Sequence, residues 1–335
     1  MAVSRTVTLP SGDTVPALGQ GTWHMGENPA KRQDELAAVR RGLDLGMTLI
    51  DTAEMYGSGA AEELVGEAIR GRRDEAFLVS KVLPLHADAR GAVRACQASL
   101  RRLGTEHIDL FQLHTPDRIT PMEETLDALA DLVRSGKVRY IGCSNYSAWH
   151  LVKALSTSER RGFERYVSLQ AYYSLVGREL EHELLPASQD QGVGVLVWSP
   201  LAAGFLTGKQ RRGEAPPAGS RRETTGDTGT MDAEQGFDVV DVLDGIAREH
   251  GVSIAQVAIN WLLRRPGVTS VIIGARTPEQ LQDNLDAASW ELTAEEVARL
   301  DEVSARALPY PYWHQLKMNR PRLRYTLADS GAPLS

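Results

Sequence analysis

The chain has 335 residues, of which 42% are hydrophobic and 24% charged, proportions that suit one large α/β domain or two smaller ones with a sizeable core. A formal net charge of -7 removes the electrostatic reason to expect nucleic acid or an anionic membrane as partner, so a small molecule is the expected one. Two cysteines, Cys96 and Cys143, are too few for a disulfide framework or a structural zinc site and fit a reducing compartment. The opening stretch MAVSRTVTLPSGDTVPALG has no apolar h-region, and no unbroken apolar run reaches roughly 18 residues, so a cytoplasmic protein without signal peptide or membrane span is expected.

In chain order, short apolar runs alternate with longer amphipathic stretches. PALGQGTW (16–23) is followed by KRQDELAAVRRGLDLG, MTLID by AAEELVGEAIRG, FLVSK by RGAVRACQASLRRLG, and IDLFQLH by PMEETLDALADLVRSGK. VRYIGCSN, VSLQAYY, VGVLVWSP and VTSVIIGA complete the set of apolar runs. The short runs read as buried parallel strands and the periodic stretches as helices, several closed by a glycine. The unit recurs about every 30 residues, the size of one βα step. Eight such units predict a closed (β/α)8 TIM barrel in a single domain over residues 1–335. A doubly wound open sheet is the alternative, but Gly19, Gly21 and Gly26 in GQGTWHMG do not space as G-x-G-x-x-G.

Two segments depart from the repeat. Residues 207–236, rich in Gly, Pro, Thr and Arg, read as a long mobile loop after the seventh strand, either a surface insertion or a flap over the site. Residues 306–335 form an extended C-terminal tail with aromatics in its first part.

Almost every apolar run ends on a polar or hydrogen-bonding residue: Asp51, Lys81, His114, Ser144 with Asn145, Gln170, Trp198 with Ser199, and Gly274 followed by Arg276. In a βα barrel all strand C-termini open on one face, so these residues converge. Any one of them is as readily a cap or a loop ion pair. Together Asp51, Tyr56, Lys81 and His114 supply a carboxylate, a phenol, an ammonium and an imidazole, a full set for proton transfer at a carbonyl. Farther on, Thr277 with Gln280 makes a capping-box pattern and Pro278 suits a first helical position. A helix therefore starts just after Arg276, a combination that suits a phosphate.

With these motifs in this order, DTAEMYGSGAAEELVGEAI, VSKV, LFQLHTPD, YIGCSNYS, VWSPLAAGFLTGK and VIIGARTPEQLQDNL, most of the chain resembles the aldo-keto reductase family. The resemblance implies a catalytic tetrad of Asp51, Tyr56, Lys81 and His114, with NADP(H) as cofactor and no metal. Tyr56 would protonate the oxygen of an aldehyde or ketone as hydride reaches its carbon. Lys81 would favour the phenolate, Asp51 would orient Lys81, and His114 would hydrogen-bond the carbonyl.

The resemblance also implies that Ser144, Asn145 and Gln170 hold the nicotinamide carboxamide and that Trp198 stacks on the ring. Ser199, Pro200, Leu201, Gly204 and Lys209 would meet the pyrophosphate region, with Gly21, Thr22 and Trp23 nearby. Arg276 would take the 2'-phosphate beside Gly274, and Gln280 and Asn284 the adenine side. Trp23, Met25, Met55, Trp149, Tyr310, Tyr312 and Trp313 are candidates for the substrate pocket, although the tail aromatics could equally pack the tail. The Tyr-x-x-x-Lys of short-chain reductases and the His-Glu-x-x-His of zinc peptidases are absent. A regulatory role like that of the potassium-channel β subunits, which bind NADP with little turnover, stands as the alternative to an enzyme. The complete tetrad favours the enzyme.

Overall fold

The structure, a computed structural model, describes residues 5–226, 231–275 and 277–319. Its apolar runs are strands because they are short, rich in Val, Ile and Leu, and covered on both faces. Every residue of β5 (Phe77–Val82) and of β6 (Ile108–Leu113) is buried once the hairpin strands β1 (Thr6–Thr8) and β2 (Thr14–Pro16) and the barrel strands β3 (Leu18–Gly21) and β4 (Leu49–Asp51) are counted in order. Strands β7 (Val138–Ser144), β8 (Tyr166–Tyr172), β9 (Gly194–Trp198) and β10 (Val268–Ile273) follow. Strands β3 to β10 pair in parallel, and β10 closes on β3 to give the expected eight-stranded barrel.

Helices α1 (Arg32–Asp44), α2 (Ala60–Ala68), α3 (Ala89–Leu103), α4 (Met122–Arg134), α5 (Ala148–Arg161) and α6 (Leu184–Asp190) return the chain between strands. Local chemistry sets their ends. In α3, Asp88 accepts hydrogen bonds from the Arg90 and Gly91 amides, and Gly104 closes the helix with φ 62°, a left-handed turn that glycine adopts without a Cβ penalty. The Glu62-x-x-x-Gly66 spacing is explained by packing. A Cβ on Gly66 would lie 2.6 Å from the Leu103 carbonyl oxygen, so α2 and α3 approach backbone to backbone. Glu62, wholly buried, accepts from Ser80 Oγ (2.7 Å) and Arg102 Nε (2.6 Å).

The expected loop after β9 is only partly irregular. It contains the short helix α7 (Arg221–Thr225), and α8 (Ala233–His250) begins inside its far end, started by Asp232 accepting from the Gln235 amide and anchored by buried Phe237. Residues 227–230 of that segment lie outside the described residues. Helices α9 (Ile254–Leu263), α10 (Pro278–Asp286) and α11 (Ala294–Val303) complete the ring. The chain divides into two compact units, Met1–Ser304 with the barrel and Ala305–Ser335.

Two apolar clusters separate the inside of the barrel from its outer layer. The inner one joins Leu49, Phe77, Val79, Leu110, Leu196 and Ile272, plugged at the strand N-termini by Leu9 and Val15 of the hairpin. Side chains on a strand alternate faces with period two. Moving two residues on from this apolar layer gives Asp51, Lys81, Gln112, Trp198 and Gly274. The polar layer above the apolar one is thus set by register. Among the described residues no helix is long and apolar enough to cross a membrane.

Candidate active site

Asp51 ends β4, and Lys81 stands on β5 next to it. Lys81 is fully buried, and its Nζ donates to the Asp51 carboxylate at 2.8 Å, to the Thr52 carbonyl at 3.0 Å and to Tyr56 Oη at 3.1 Å. Tyr56 comes back over Lys81 because the chain turns sharply behind it. Gly57 (φ 55°), Ser58 (φ 54°) and Gly59 (φ 100°) are left-handed in succession, a course that glycine makes tolerable. The Tyr56 ring lies with its centroid 4.8 Å from Lys81 Nζ and meets His114 edge to face at 5.8 Å. The four residues expected from the sequence therefore come together.

Electrostatics gives each a distinct state. Burial acts most strongly on Lys81 and disfavours its charge, but Asp51 and Tyr56 outweigh it, and the ammonium titrates above its ordinary value. Burial raises Tyr56 above the usual phenol range; Lys81 pulls in the opposite direction without cancelling the rise. Lys81 thus pulls the phenol towards its ionised form, while desolvation sets the net result. His114 is pushed down to about 3 by burial and by the Lys81 charge, so it is neutral at physiological pH. Its Nδ1 is sealed from solvent without a hydrogen-bond partner.

Beside the tetrad, Asn145 (φ 56°) follows Ser144 at the end of β7. Its Nδ2 donates to the His114 carbonyl and to Ser144 Oγ, both at 3.0 Å, and its Oδ1 accepts from Trp198 Nε1 at 3.1 Å. Gln170 Nε2 donates to Asp51 Oδ1 at 2.7 Å. Thr22 donates from both its amide (3.0 Å) and its hydroxyl (2.9 Å) to the Asp51 carbonyl. Ser144, Asn145, Gln170, Trp198, Thr22 and Asp51 thus form one hydrogen-bonded belt at the barrel mouth.

A groove of ≈ 820 Å³ runs across the ends of β3, β9 and β10 towards α10; its wall adjoins the belt at Gly21, next to Thr22, and at Ser199, next to Trp198, but none of the belt or tetrad side chains lines it. Its wall includes Gly21, Trp23, Met25, Ser199, Pro200, Leu201, Gly204, Lys209, Gly274, Gln280 and Asn284. Thr277 accepts from the Gln280 amide at 3.3 Å and Pro278 opens α10, so the predicted helix start beside the groove is present. Arg276 lies outside the described residues. Met25, expected in the substrate pocket, shares the groove wall with the cofactor candidates. Met55 is exposed next to Tyr56, and Trp149 is exposed in the first turn of α5, stacked on His150 with ring centroids 3.5 Å apart. Tyr310 and Trp313 face each other at 6.2 Å within the second unit, and Tyr312 follows Tyr310 there.

The groove also contains residues that sequence reasoning passed over. Arg221 lies over the Trp23 ring at 4.9 Å and bears electrostatically on Tyr56. Asp283, held by Ser253 Oγ (2.9 Å) and Gln256 Nε2 (2.7 Å), lines its α10 end. Arg221 belongs to a stretch without period, where no sequence signal marks a position in space. Asp283 does sit one residue before Asn284 on the same helix face as Gln280, a spacing that could have flagged it.

The sequence profile of the Aldo/keto reductase family matches residues 17–305. The chain belongs to the aldo/keto reductase family. It is 39% identical to methylglyoxal reductase YeaE of Escherichia coli over 90% of this chain and 94% of that protein. It is 33% identical to a putative voltage-gated potassium channel subunit beta of Schizosaccharomyces pombe, over 88% and 91% of the two chains. An aldo/keto reductase of Klebsiella pneumoniae, solved in complex with NADP and acetate, superposes with a TM-score of 0.75 at 35% identity, covering 92% of this chain and 98% of that one.

The groove of this aldo/keto reductase suits a dinucleotide. It is long, it ends beside a helix N-terminus, and glycine at positions 21, 204 and 274 leaves its wall low, with open space around Gly204. The reductase's polar belt meets the groove through the bond between the Gly21–Thr22 turn and Asp51.

Proposed function

We propose that this chain, an NADP(H)-dependent oxidoreductase of the aldo/keto reductase family, reduces an aldehyde or ketone carbonyl with Tyr56 as the general acid. The observation that carries this reading is the buried line Asp51, Lys81, Tyr56, with bonds of 2.8 and 3.1 Å, facing a neutral His114. When bound, NADPH supplies hydride to the carbonyl carbon. Gly21, Ser199, Leu201 and Gly204 would hold its phosphate-bearing part, Asn145, Ser144 and Gln170 its carboxamide, Trp198 its ring, and Arg276, Gln280 and Asn284 its adenosine end.

The protein's own groups manage the proton. Tyr56, like any phenol, keeps its proton at neutral pH, and burial strengthens that hold, so it is present in the acid form. As the proton leaves, the Lys81 ammonium at 3.1 Å stabilises the phenolate, and Asp51 keeps Lys81 charged within the buried site. Neutral His114 can donate one N–H to the carbonyl oxygen, aligning it and taking part of its developing charge. The relative named for methylglyoxal and the family-wide tetrad both support a small carbonyl substrate.

The test is a panel of aldehydes and ketones incubated with the purified protein and NADPH, followed at the nicotinamide absorbance. Turnover of at least one member is expected. A protein that binds NADPH and reduces none would support the regulatory-subunit alternative instead.

A further inference from the structure

Gln112 stands wholly buried on β6, two residues before His114 and therefore on the same inward face of the barrel. Its neighbour one layer down on that face is Leu110, a member of the inner apolar cluster. A leucine at position 112 would continue that layer, so an amide here needs a reason, because a buried amide costs free energy unless its hydrogen bonds are made. They are made on both sides. Gln112 Nε2 donates to Ser168 Oγ at 3.0 Å, and Gln112 Oε1 accepts from Gln170 Nε2 at 3.3 Å.

The direction of this line is fixed from one end. The Asp51 carboxylate can only accept, so Gln170 must turn its nitrogen to Asp51 Oδ1, the 2.7 Å bond already described. The second N–H of Gln170 then needs an acceptor, which Gln112 Oε1 provides; Gln112 must in consequence point its own nitrogen at Ser168. Among the described residues nothing donates to Gln170 Oε1, which stays available as an acceptor.

We infer that Gln112 is a positioning residue that acts through Gln170. It holds Gln170 in the one amide orientation that caps the Asp51 carboxylate with a donor and leaves Gln170 Oε1 free. Lys81, 2.8 Å from both oxygens of Asp51, and Gln170, bonded to Oδ1, then hold the carboxylate from different strands, and the geometry of the Lys81–Tyr56 bond inherits that rigidity. The inference rests on the reductase reading above.

The experiment measures kcat, with a carbonyl that the native protein reduces, for Gln112→Leu, Gln170→Leu and the double variant. Gln112→Leu should lower kcat about three- to tenfold, the range of one neutral hydrogen bond. The same substitution added to Gln170→Leu should change nothing further, because its effect passes through Gln170. Native kcat in Gln112→Leu, or equal losses in both backgrounds, overturns the inference. If Gln112→Leu does not fold, Ser168→Ala loosens Gln112 from its far end and should lower kcat in the same direction; native kcat there overturns it. Should the native protein reduce no carbonyl, the reductase reading fails separately, and the side-chain amide signal of Gln170 in the ¹H–¹⁵N spectrum still decides. A shift of that signal in Gln112→Leu supports the positioning role, and an unmoved signal refutes it.

Discussion

Trp198 donates its indole N–H to Asn145 Oδ1 across 3.1 Å, tying the seventh barrel strand to the turn after the fifth. The bond orients the indole that the reading above places against the nicotinamide, and it joins the bonds from the Asn145 amide to the Gln170 carbonyl and from Asn145 Nδ2 to the His114 carbonyl around this left-handed residue. Trp198→Phe keeps an aromatic face but deletes the donor. We expect the dissociation constant for NADPH, measured by fluorescence titration, to rise about three- to tenfold; an unchanged constant would show that the bond does not order the site.

Tyr56 carries an O–H at neutral pH and donates it beside a cation that stabilises the phenolate left behind. Tyr56→Phe should lower kcat for carbonyl reduction by about 10²- to 10⁴-fold, with NADPH affinity kept within a few-fold. Retention of native turnover in this variant would remove Tyr56 from its role.

Asp51 and Lys81 form a buried ion pair, and such a pair is far more costly to halve than to delete. Lys81→Met should destabilise the protein by about 3–5 kcal/mol in urea unfolding because it leaves Asp51 unpaired. Adding Asp51→Leu to it should recover much of that stability while activity stays lost. Equal stability of the single and double variants would contradict the pairing.

The His114 pKa is depressed to about 3 in the folded state, against about 6.5 for an unfolded chain. Between those values the unfolded chain binds the extra proton, so stability falls as pH drops below about 6.5 and the loss is complete near pH 3. The slope from this one group approaches about 1.4 kcal/mol per pH unit near pH 5. His114→Gln should flatten the dependence of unfolding free energy on pH between 5 and 6.5. For the same reason the reduction rate should show no acid limb near pH 6.5 in native protein, and it should decline only as pH rises past the ordinary phenol range.

Arg276→Ala should raise KM for NADPH about ten- to hundredfold, the scale of a lost charge-assisted contact, while KM for NADH stays nearly unchanged. Equal effects on both nucleotides would dismiss the 2'-phosphate assignment.

The eight strands were legible because fully buried strands must be short apolar runs, and the helices because their apolar faces repeat every three to four residues. Asp51, Lys81 and His114 were legible because each interrupts or ends such a run, where a charge or imidazole has no packing reason to be. Gln112 carried the same signal, a polar residue inside IDLFQLH, yet its meaning depends on Ser168 and Gln170, two strands away. Chain order alone does not measure that distance.

By itself the sequence determined the strand and helix periods, the barrel they close into, and the chemical groups gathered at its mouth. Only the tertiary structure decided their states. Burial and the charges of neighbouring strands make Lys81 a retained cation, Tyr56 a retained acid and His114 a neutral imidazole, since desolvation and Coulomb interactions act through space. Arg221 came to lie over Trp23 in the same way: an aperiodic segment is placed by the surface it packs on, and that surface exists only once the barrel has closed.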